Sequence, residues 1–272
     1  MKISIVTISF NQAEFLERTI KSVLSQKQDV DVEYIVIDAG STDGSREIID
    51  KYKAQIDQII FEDDEGPSDG LNKGFSLAHG EIYGFLNSDD ILYPGALKEA
   101  LNYLTRHPEI DVISGHAYII DANDKILRKS FSQPMALKQY AYGGCIINQP
   151  STFFRKQIFE QSKGFNKDNR CNWDGELFVE MALAGAKFSV VNDFWSGYRL
   201  HGVSITASTK LDKAMRDYNA RIFEKIIGRP RTNSDNYLSI FYRALRFIKN
   251  PLALWERLNK GKIYGRDLTN KS

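Results

Sequence analysis

The sequence predicts an α/β protein. Its body is a mostly parallel, Rossmann-like sheet with helices on both faces, followed by a basic helical C-terminal extension. Three observations point there. Short apolar, β-branched runs alternate with apolar residues at helical spacing through the first part of the chain. Loops dense in Gly, Asp, Ser and Asn punctuate these units. Charge is also segregated: Lys210 to Ser272 carry 15 Lys+Arg against 6 Asp+Glu, a net of +9, while Met1 to Thr209 carry 21 against 29, a net of −8.

The elements follow in order. Ile3 to Ile8 reads as a buried strand. Asn11-Gln12-Ala13-Glu14 suits a helix start, and Leu16, Ile20, Val23 and Leu24 recur on one face of that helix. Tyr34 to Ile37 is a second strand, broken by the turn-rich loop Asp38 to Gly44. Ile48, Tyr52 and Ile56 mark the next helix, and Gln58 to Phe61 a third strand. Gly66-Pro67 leads into a helix bearing Leu71, Phe75 and Ala78, closed by Gly80. Ile82 to Leu86 is a fourth strand, and Pro94 opens a helix with Leu97, Leu101 and Leu104 inward. Beyond residue 110 the pattern changes. Val112 to Ile120 and Lys125 to Phe131 flank Asp121-Ala122-Asn123-Asp124 as a hairpin. Asp174 to Ala184 is a helix, and Phe188 to Val191 and Trp195 to Leu200 are strand-like. From Thr206 the chain is helical and basic. The division expected is 1–205 for the body, split into halves 1–110 and 111–205, and 206–272 for the extension.

At 272 residues, 42% hydrophobic and 26% charged, the composition is that of a globular protein with room for a sizeable core. Cys145 and Cys171 form no CxxC pair, and no secretory signal is visible, so a reducing cytoplasmic setting is expected. No apolar run approaches the roughly 18 residues that span a bilayer. The charge pattern does not point to a nucleic-acid partner.

In a parallel sheet, loops after successive strands share one edge, where ligands bind. Ser9-Phe10-Asn11, Asp38 to Gly44 and Asn87-Ser88-Asp89-Asp90 should therefore meet. Two adjacent carboxylates beside an apolar core are costly without a cation or strong donors. Asp89-Asp90 therefore reads either as a site for Mn²⁺ or Mg²⁺, or as Asp90 capping a turn with Asp89 exposed. Asp38 alone suits an Asx-turn, but its place on the shared edge favours contact with a base or ribose. Glu62 to Glu65 reads as a solvated acidic surface. Asp69, Asn72 and Lys73 follow at a helix start, where Lys73 could reach a phosphate. Asp174 reads as an N-cap or as a base for an acceptor hydroxyl. Arg199 could clamp phosphate. His201 could ligate metal, touch phosphate, or be a satisfied polar residue.

Taken together, six stretches resemble the family 2 glycosyltransferases of GT-A fold, over roughly Met1 to Ser204. They are Val6 to Asn11, Val36 to Gly44, Asp69 to Gly74, Phe85 to Asp90, Trp173 to Leu177 and Tyr198 to His201. The resemblance implies a GT-A-like sheet and an inverting, metal-dependent transfer of sugar from a nucleoside-diphosphate donor, UDP by family weight. Its acceptor would be a saccharide or lipid-linked hydroxyl, as in surface-polysaccharide synthesis. By position it makes Asp174 the base, Asp89 a metal ligand, Ser9 and Asp38 nucleoside contacts, and Gln149 to Phe153 an acceptor-side strand. With the readings of the residues themselves, His201 is expected to join Asp89 at the metal, Asn11, Asp69, Lys73, Asn87 and Ser88 to join Ser9 and Asp38 as nucleotide contacts, and Gln149, Trp173 and Arg199 to be phosphate or acceptor contacts. Asn87 stands where the family has its first Asp, and Trp173 where an acidic residue often precedes the base.

Tyr237 to Lys249, with Leu252, Leu254 and Trp255, mixes aromatic and basic residues. This suits either an anionic membrane face, peripheral on the inner side of the plasma membrane, or a helix packed on the body. Two rival functions fit such a sheet less well. A sugar-1-phosphate nucleotidylyltransferase would carry a Gly-rich loop after the first strand, and Ile8 to Gln12 has no glycine. A non-catalytic nucleotide-sugar binder would have no use for both Asp89 and Asp174.

Overall fold

A computed structural model of the chain describes residues 1–201 and 212–261. The expected boundary at 205/206, the end of the resemblance at Ser204, and residues 262–272 of the extension lie outside the described residues. Four strands, β1 (Ile3–Ser9), β2 (Val32–Asp38), β3 (Gln58–Phe61) and β4 (Ile82–Asn87), are parallel, in the order β3-β2-β1-β4. Each is separated from the next by a helix: α1 (Ala13–Leu24), α2 (Ser45–Tyr52) and α3 (Pro67–Ser76). β2 is buried at all seven positions, which explains the apolar run Tyr34 to Ile37: both faces of this part of the sheet are covered.

The two faces have separate cores because neighbouring strand residues point oppositely. Ile3 and Ile5 pack with Leu16 and Ile20 of α1, Ile49 of α2, and Leu97 and Leu104 of α4 (Ala96–Arg106). Val6 packs on the other face with Leu71 and Phe75 of α3 and with residues of α6 (Lys156–Gln161) and α7 (Trp173–Leu183). Gly74 lets α3 lie close to the sheet. A Cβ there would be 2.5 Å from Val6 Cγ1 and 2.9 Å from Ile37 Cδ1. α3 stops at Ser76, short of Gly80, whose N–H donates to Ser4 Oγ at 2.8 Å.

The second half is mixed in direction. β8 (Thr152–Arg155) is antiparallel to β4 and β6 (Val112–Ile120), and β6 forms the expected hairpin with β7 (Ile126–Ser130). β9 (Phe188–Arg199) runs parallel to β6 as one strand where two runs were expected. Its register slips between Ser114 and His116, leaving Asn192 and Asp193 exposed as a bulge. A two-residue strand, β5 (Ile91–Leu92), pairs with β9. The segment expected as a strand from Gln149 begins instead as a 3₁₀ turn, Gln149–Ser151, because Pro150 has no N–H for a ladder.

The helical extension is present as α8 (Asp212–Ile227), α9 (Asp235–Lys249) and α10 (Pro251–Lys260). It is tied into the body. Cys171 and Val179 share a core with Tyr218 and Ile222 of α8. Tyr142 Oη donates to the buried Asp235 of α9 at 2.9 Å, and Lys129 N donates to Glu256 of α10 at 3.2 Å. No helix among the described residues is long and apolar enough to cross a membrane.

Glu33, the charged residue near the start of β2, is matched by local donors. Ser4 Oγ (2.6 Å) and His79 N (2.7 Å) donate to it, and His79 Nδ1 lies 2.9 Å away. Burial alone would raise its pKa, but these donors outweigh that and hold it at about 2, below the ordinary 4.5. A depressed carboxyl pKa contributes stability above the unfolded value, lost as pH falls through the folded one. Glu33→Gln should therefore lower the urea midpoint at neutral pH, and the deficit should shrink as pH falls from 4.5 towards 2. A deficit independent of pH would contradict this.

Candidate active site

Strand register brings the expected loops together. Ser9 is level with Asp38, and Ile8 with Asn87, so the loops after β1, β2 and β4 share one rim. Asp38 is fully buried at the end of β2. Its Oδ1 accepts from Ser41 N (2.9 Å), Gly40 N (3.2 Å) and Arg46 Nε (2.8 Å), and its Oδ2 from Ser41 Oγ (2.5 Å). Burial would raise its pKa, yet these donors hold it below the usual carboxylate range. Asn11 joins the same loop: its N–H donates to Ser41 Oγ (2.8 Å), and its Oδ1 accepts from Thr42 N (2.9 Å). Asp38 thus forms the Asx-type turn, with Ser9 buried beside it. Two aromatics that the sequence reading passed over stand at strand ends on this rim. Phe10 is 59% exposed just after β1, and Phe61, the last residue of β3, lies under the Arg46 guanidinium at 4.9 Å. Only their position just after an apolar run distinguishes them from core rings.

Asp89 and Asp90 have opposite fates. Asp90 is buried, and its Oδ1 accepts from Arg199 N at 2.8 Å. Burial, then the neighbouring Asp89 charge, push its pKa well up. Asp89 is half-buried, with Oδ2 3.0 Å from His201 Nε2. Thr19 Oγ1 of α1 lies 2.9 Å from Ser88 O and 2.7 Å from Asp90 O, fixing the turn from below.

Arg199 is not placed to clamp phosphate. Its side chain has no exposed surface. Nε donates to Asp89 O (2.6 Å) and Nη1 to Asp121 O (2.8 Å); Nη2 pairs with Asp124 (2.5 Å), and the guanidinium sits 5.0 Å from the Phe15 ring. The expectation is corrected: Nε and Nη1 are spent on backbone carbonyls, Nη2 faces a carboxylate, and the side chain has no exposed fork to offer a phosphate. Gln149 is corrected for a like reason. It is buried, donates to Phe85 O at 2.7 Å and accepts from Asn87 Nδ2 at 3.4 Å, so it braces the end of β4. Ser88 is buried under the turn and cannot meet a ligand there without movement. Asn87 is half-exposed, and its Oδ1 has no partner among the described residues.

A wall beside the rim carries the remaining residues. Asp69 sits buried at the start of α3, paired with Lys167 and with Lys73 (3.3 Å). Lys167 foremost holds its pKa at about 2. Lys73 also donates to Asp63 O at 2.7 Å, so both residues are engaged locally. The acidic run is not all solvated surface: Asp64 is half-buried, and burial together with the charges of Asp69 and Asp63 raises its pKa. The loop before α7 docks on α3, where Phe165 and Asn72 exchange hydrogen bonds at 2.8 and 2.9 Å. Trp173 packs against the core that holds Phe85 and Ile8, just below the rim. Asp174, next along, is half-buried, and burial raises its pKa. Behind it, Tyr140 Oη accepts from Asn172 Nδ2 (3.1 Å) and bonds Tyr218 Oη (2.9 Å). Glu176 is held by Arg221 and by Asn169 (2.6 Å). The extension therefore buttresses α7, which the sequence reading missed: no local pattern links residues 45 apart.

Asp89 and His201 are the side chains suited to a divalent cation. Among the described residues, no cluster of three His, Cys, Asp or Glu stands ready for one. A hard cation that keeps waters and binds phosphate oxygens needs only one or two protein groups. The pair therefore fits an ion shared with a diphosphate, not a self-sufficient site.

Comparison with known proteins adds the following. The family model described as Glycosyl transferase family 2 matches residues 4–180. An uncharacterized glycosyltransferase of Nostoc is 30% identical over 216 residues, covering 75% of this chain and 66% of that one. The crystal structure of Staphylococcus aureus TarS 1–349 in complex with UDP-GlcNAc superposes with a TM-score of 0.66 at 18% identity, over 97% of this chain and 77% of that one. The mannosyltransferase PcManGT of Pyrobaculum calidifontis, in complex with GDP-Man and Mn²⁺, gives 0.63 at 18%, over 95% and 73%. These structural likenesses show the GT-A-like fold.

If Arg199 is a brace, Arg199→Met should cost about 2–4 kcal/mol of unfolding free energy, because it strands two part-buried carbonyls. Denaturant unfolding measures this. Stability within about 0.5 kcal/mol of the parent, the range of an ordinary surface change, would restore the clamp.

Proposed function

Because the chain belongs to glycosyl transferase family 2, we propose that it moves a sugar from a UDP-linked donor onto an acceptor hydroxyl by one inverting displacement. Asp174 supports this reading most. It stands half-buried at the head of α7, on the wall beside a nucleotide-type rim, with its proton affinity raised by burial. A carboxylate so placed takes the acceptor proton as the new bond forms. Glu176 is consumed by Arg221 and two asparagines, so Asp174 is left to act alone, and a single displacement inverts the reacting carbon. Ser9, Phe10, Asn11, Asp38 and Asn87 border the nucleoside, with Phe10 offering a ring face for the base. Asp89 and His201 would hold Mn²⁺ or Mg²⁺, which when bound neutralises charge on the departing diphosphate. TarS with UDP-GlcNAc and PcManGT with GDP-Man and Mn²⁺ support the donor class and the cation.

For the acceptor we propose a lipid-linked or growing surface polysaccharide, met at an anionic membrane face. Support comes from α9 and α10, which expose Tyr237 (78%), Ile240, Phe241, Ile248, Leu252, Trp255 and Leu258 among basic residues. The enzyme would then lie peripherally on the inner face of the plasma membrane.

Asp174→Asn should lower kcat by roughly 10²–10⁴ while the donor still binds. In the parent enzyme, kcat/KM should fall on the acid side at a pH above 3.8, because the base works only when ionised and its pKa is raised. Full turnover by the Asn variant would remove Asp174 from the chemistry. Asp89→Ala should abolish Mn²⁺ binding measured by calorimetry with UDP present, and parent-like Mn²⁺ affinity would refute its role as ligand.

A further inference from the structure

A second cleft, none of whose lining residues belongs to the rim, opens between β7 and the α9–α10 pair. Four cations line it: Arg128, Lys129, Arg246 and Arg257. Arg246 and Arg257 are ordered over one ring, their guanidinium carbons 4.6 and 5.9 Å from the centroid of Phe247. Among the described residues, no carboxylate lies within ion-pairing distance of Arg246, Arg257 or the Lys129 ammonium. The one acid nearby, Glu256, is buried and takes the Lys129 backbone N–H. Crowding has a measurable signature at Arg246, whose pKa is pushed down by burial and then by the charges of Arg257, Arg243 and Arg128. Arg246 and Arg257, crowded together with no carboxylate partner among the described residues, are stable only if water or an anion fills the space between them.

Helix α10 points the same way. Asn250 and Ala253, at its N-terminus, also line the cleft. The positive end of a ten-residue helix thus adds to four side-chain charges. The volume, about 50 Å³, is several times what one water needs, but too small for a nucleoside.

We propose that this cleft binds a phosphate group, a phosphomonoester or phosphodiester held by Arg246 and Arg257 against the start of α10. Planar guanidinium forks match phosphate oxygens in pairs, which lysines cannot do. The phosphate can come from a lipid headgroup or from a soluble species. Exposed Ile248, Leu252 and Trp255 on the same helices suit the lipid source. The inference does not rest on the transfer chemistry.

The full chain tests it in two arms. Thermal unfolding is followed with inorganic phosphate and with chloride at matched ionic strength. Co-sedimentation is measured with phosphatidylcholine vesicles, with and without phosphatidic acid. The variants are Arg246→Gln, Arg257→Gln and both together, with Lys53→Gln, exposed on another helix end, as control. Phosphate should raise the parent Tm by roughly 2–5 °C beyond chloride, and leave the double variant unmoved. Without anion the double variant should be at least as stable as the parent, since repulsion is relieved; a merely structural role would lower it. Affinity for phosphatidic acid vesicles should fall roughly fivefold per arginine removed if the headgroup is the source. A phosphate response without a vesicle response identifies a soluble source. If neither phosphate nor vesicles distinguishes parent and control from the double variant, or if the double variant fails to fold, the site is refuted.

Discussion

A guanidinium with no exposed surface must find its partners inside the protein, and Arg199 meets them at the junction of three chain segments. It holds the backbone of Asp89, the carbonyl of Asp121 and the carboxylate of Asp124, while its own N–H bonds Asp90. The turn after β4 is thereby locked to the end of β9 and to the β6–β7 hairpin. Thr19 and Phe15 of α1 close the arrangement from the opposite side. Asp89 can face His201 in a fixed geometry because nothing around that turn is left to swing. Preorganisation of this kind matters wherever charge is to be stabilised, since a loose ligand loses in reorganisation what it gains in attraction.

Much of the fold was legible in the residues. β1 to β4 are short apolar runs, and the turn residues after them mark where ligands gather. Such runs are read easily because burial on both faces leaves a continuous signal. The rest depended on distant partners. β5 is two residues long and carries no period. The strand that the resemblance put at Gln149 starts three residues later, after a turn at Pro150. α5 (Leu137–Ala141) and α6 are too short for a periodic face to stand out. Within the site, the sequence reading identified which residues would reach the rim better than what they would do there. Arg199 and Gln149 are polar residues at strand ends, and composition cannot say whether such groups face a ligand or a carbonyl. Asp38 illustrates the same difficulty. The local reading of an Asx-type turn describes its bonds here, and its place on the rim accounts for the expected nucleoside contact.

The C-terminal helices changed role once seen in place. The basic, aromatic tail left open a membrane face or packing on the body, and α8 packs: it supplies Tyr218 to the hydroxyl chain behind Asp174 and Arg221 to Glu176. α9 and α10 carry most of the exposed large apolar side chains and also form one wall of the cationic cleft. One segment thus steadies the reacting wall, covers a sheet edge and presents a surface to the outside. These duties need different chemistry, which is why the segment mixes buried tyrosine, paired arginine and bare tryptophan.

The brace between Arg221 and Glu176 also bears on how the molecule is made. Synthesis proceeds from the N-terminus, and the parallel strands can pair as soon as residue 87 has emerged. The helix bearing Asp174 has no buttress until α8 follows it out of the ribosome. A nascent chain would therefore hold a formed parallel sheet for some time beside an unbraced α7. The last-made helix of this pair is thus what completes the first-made one.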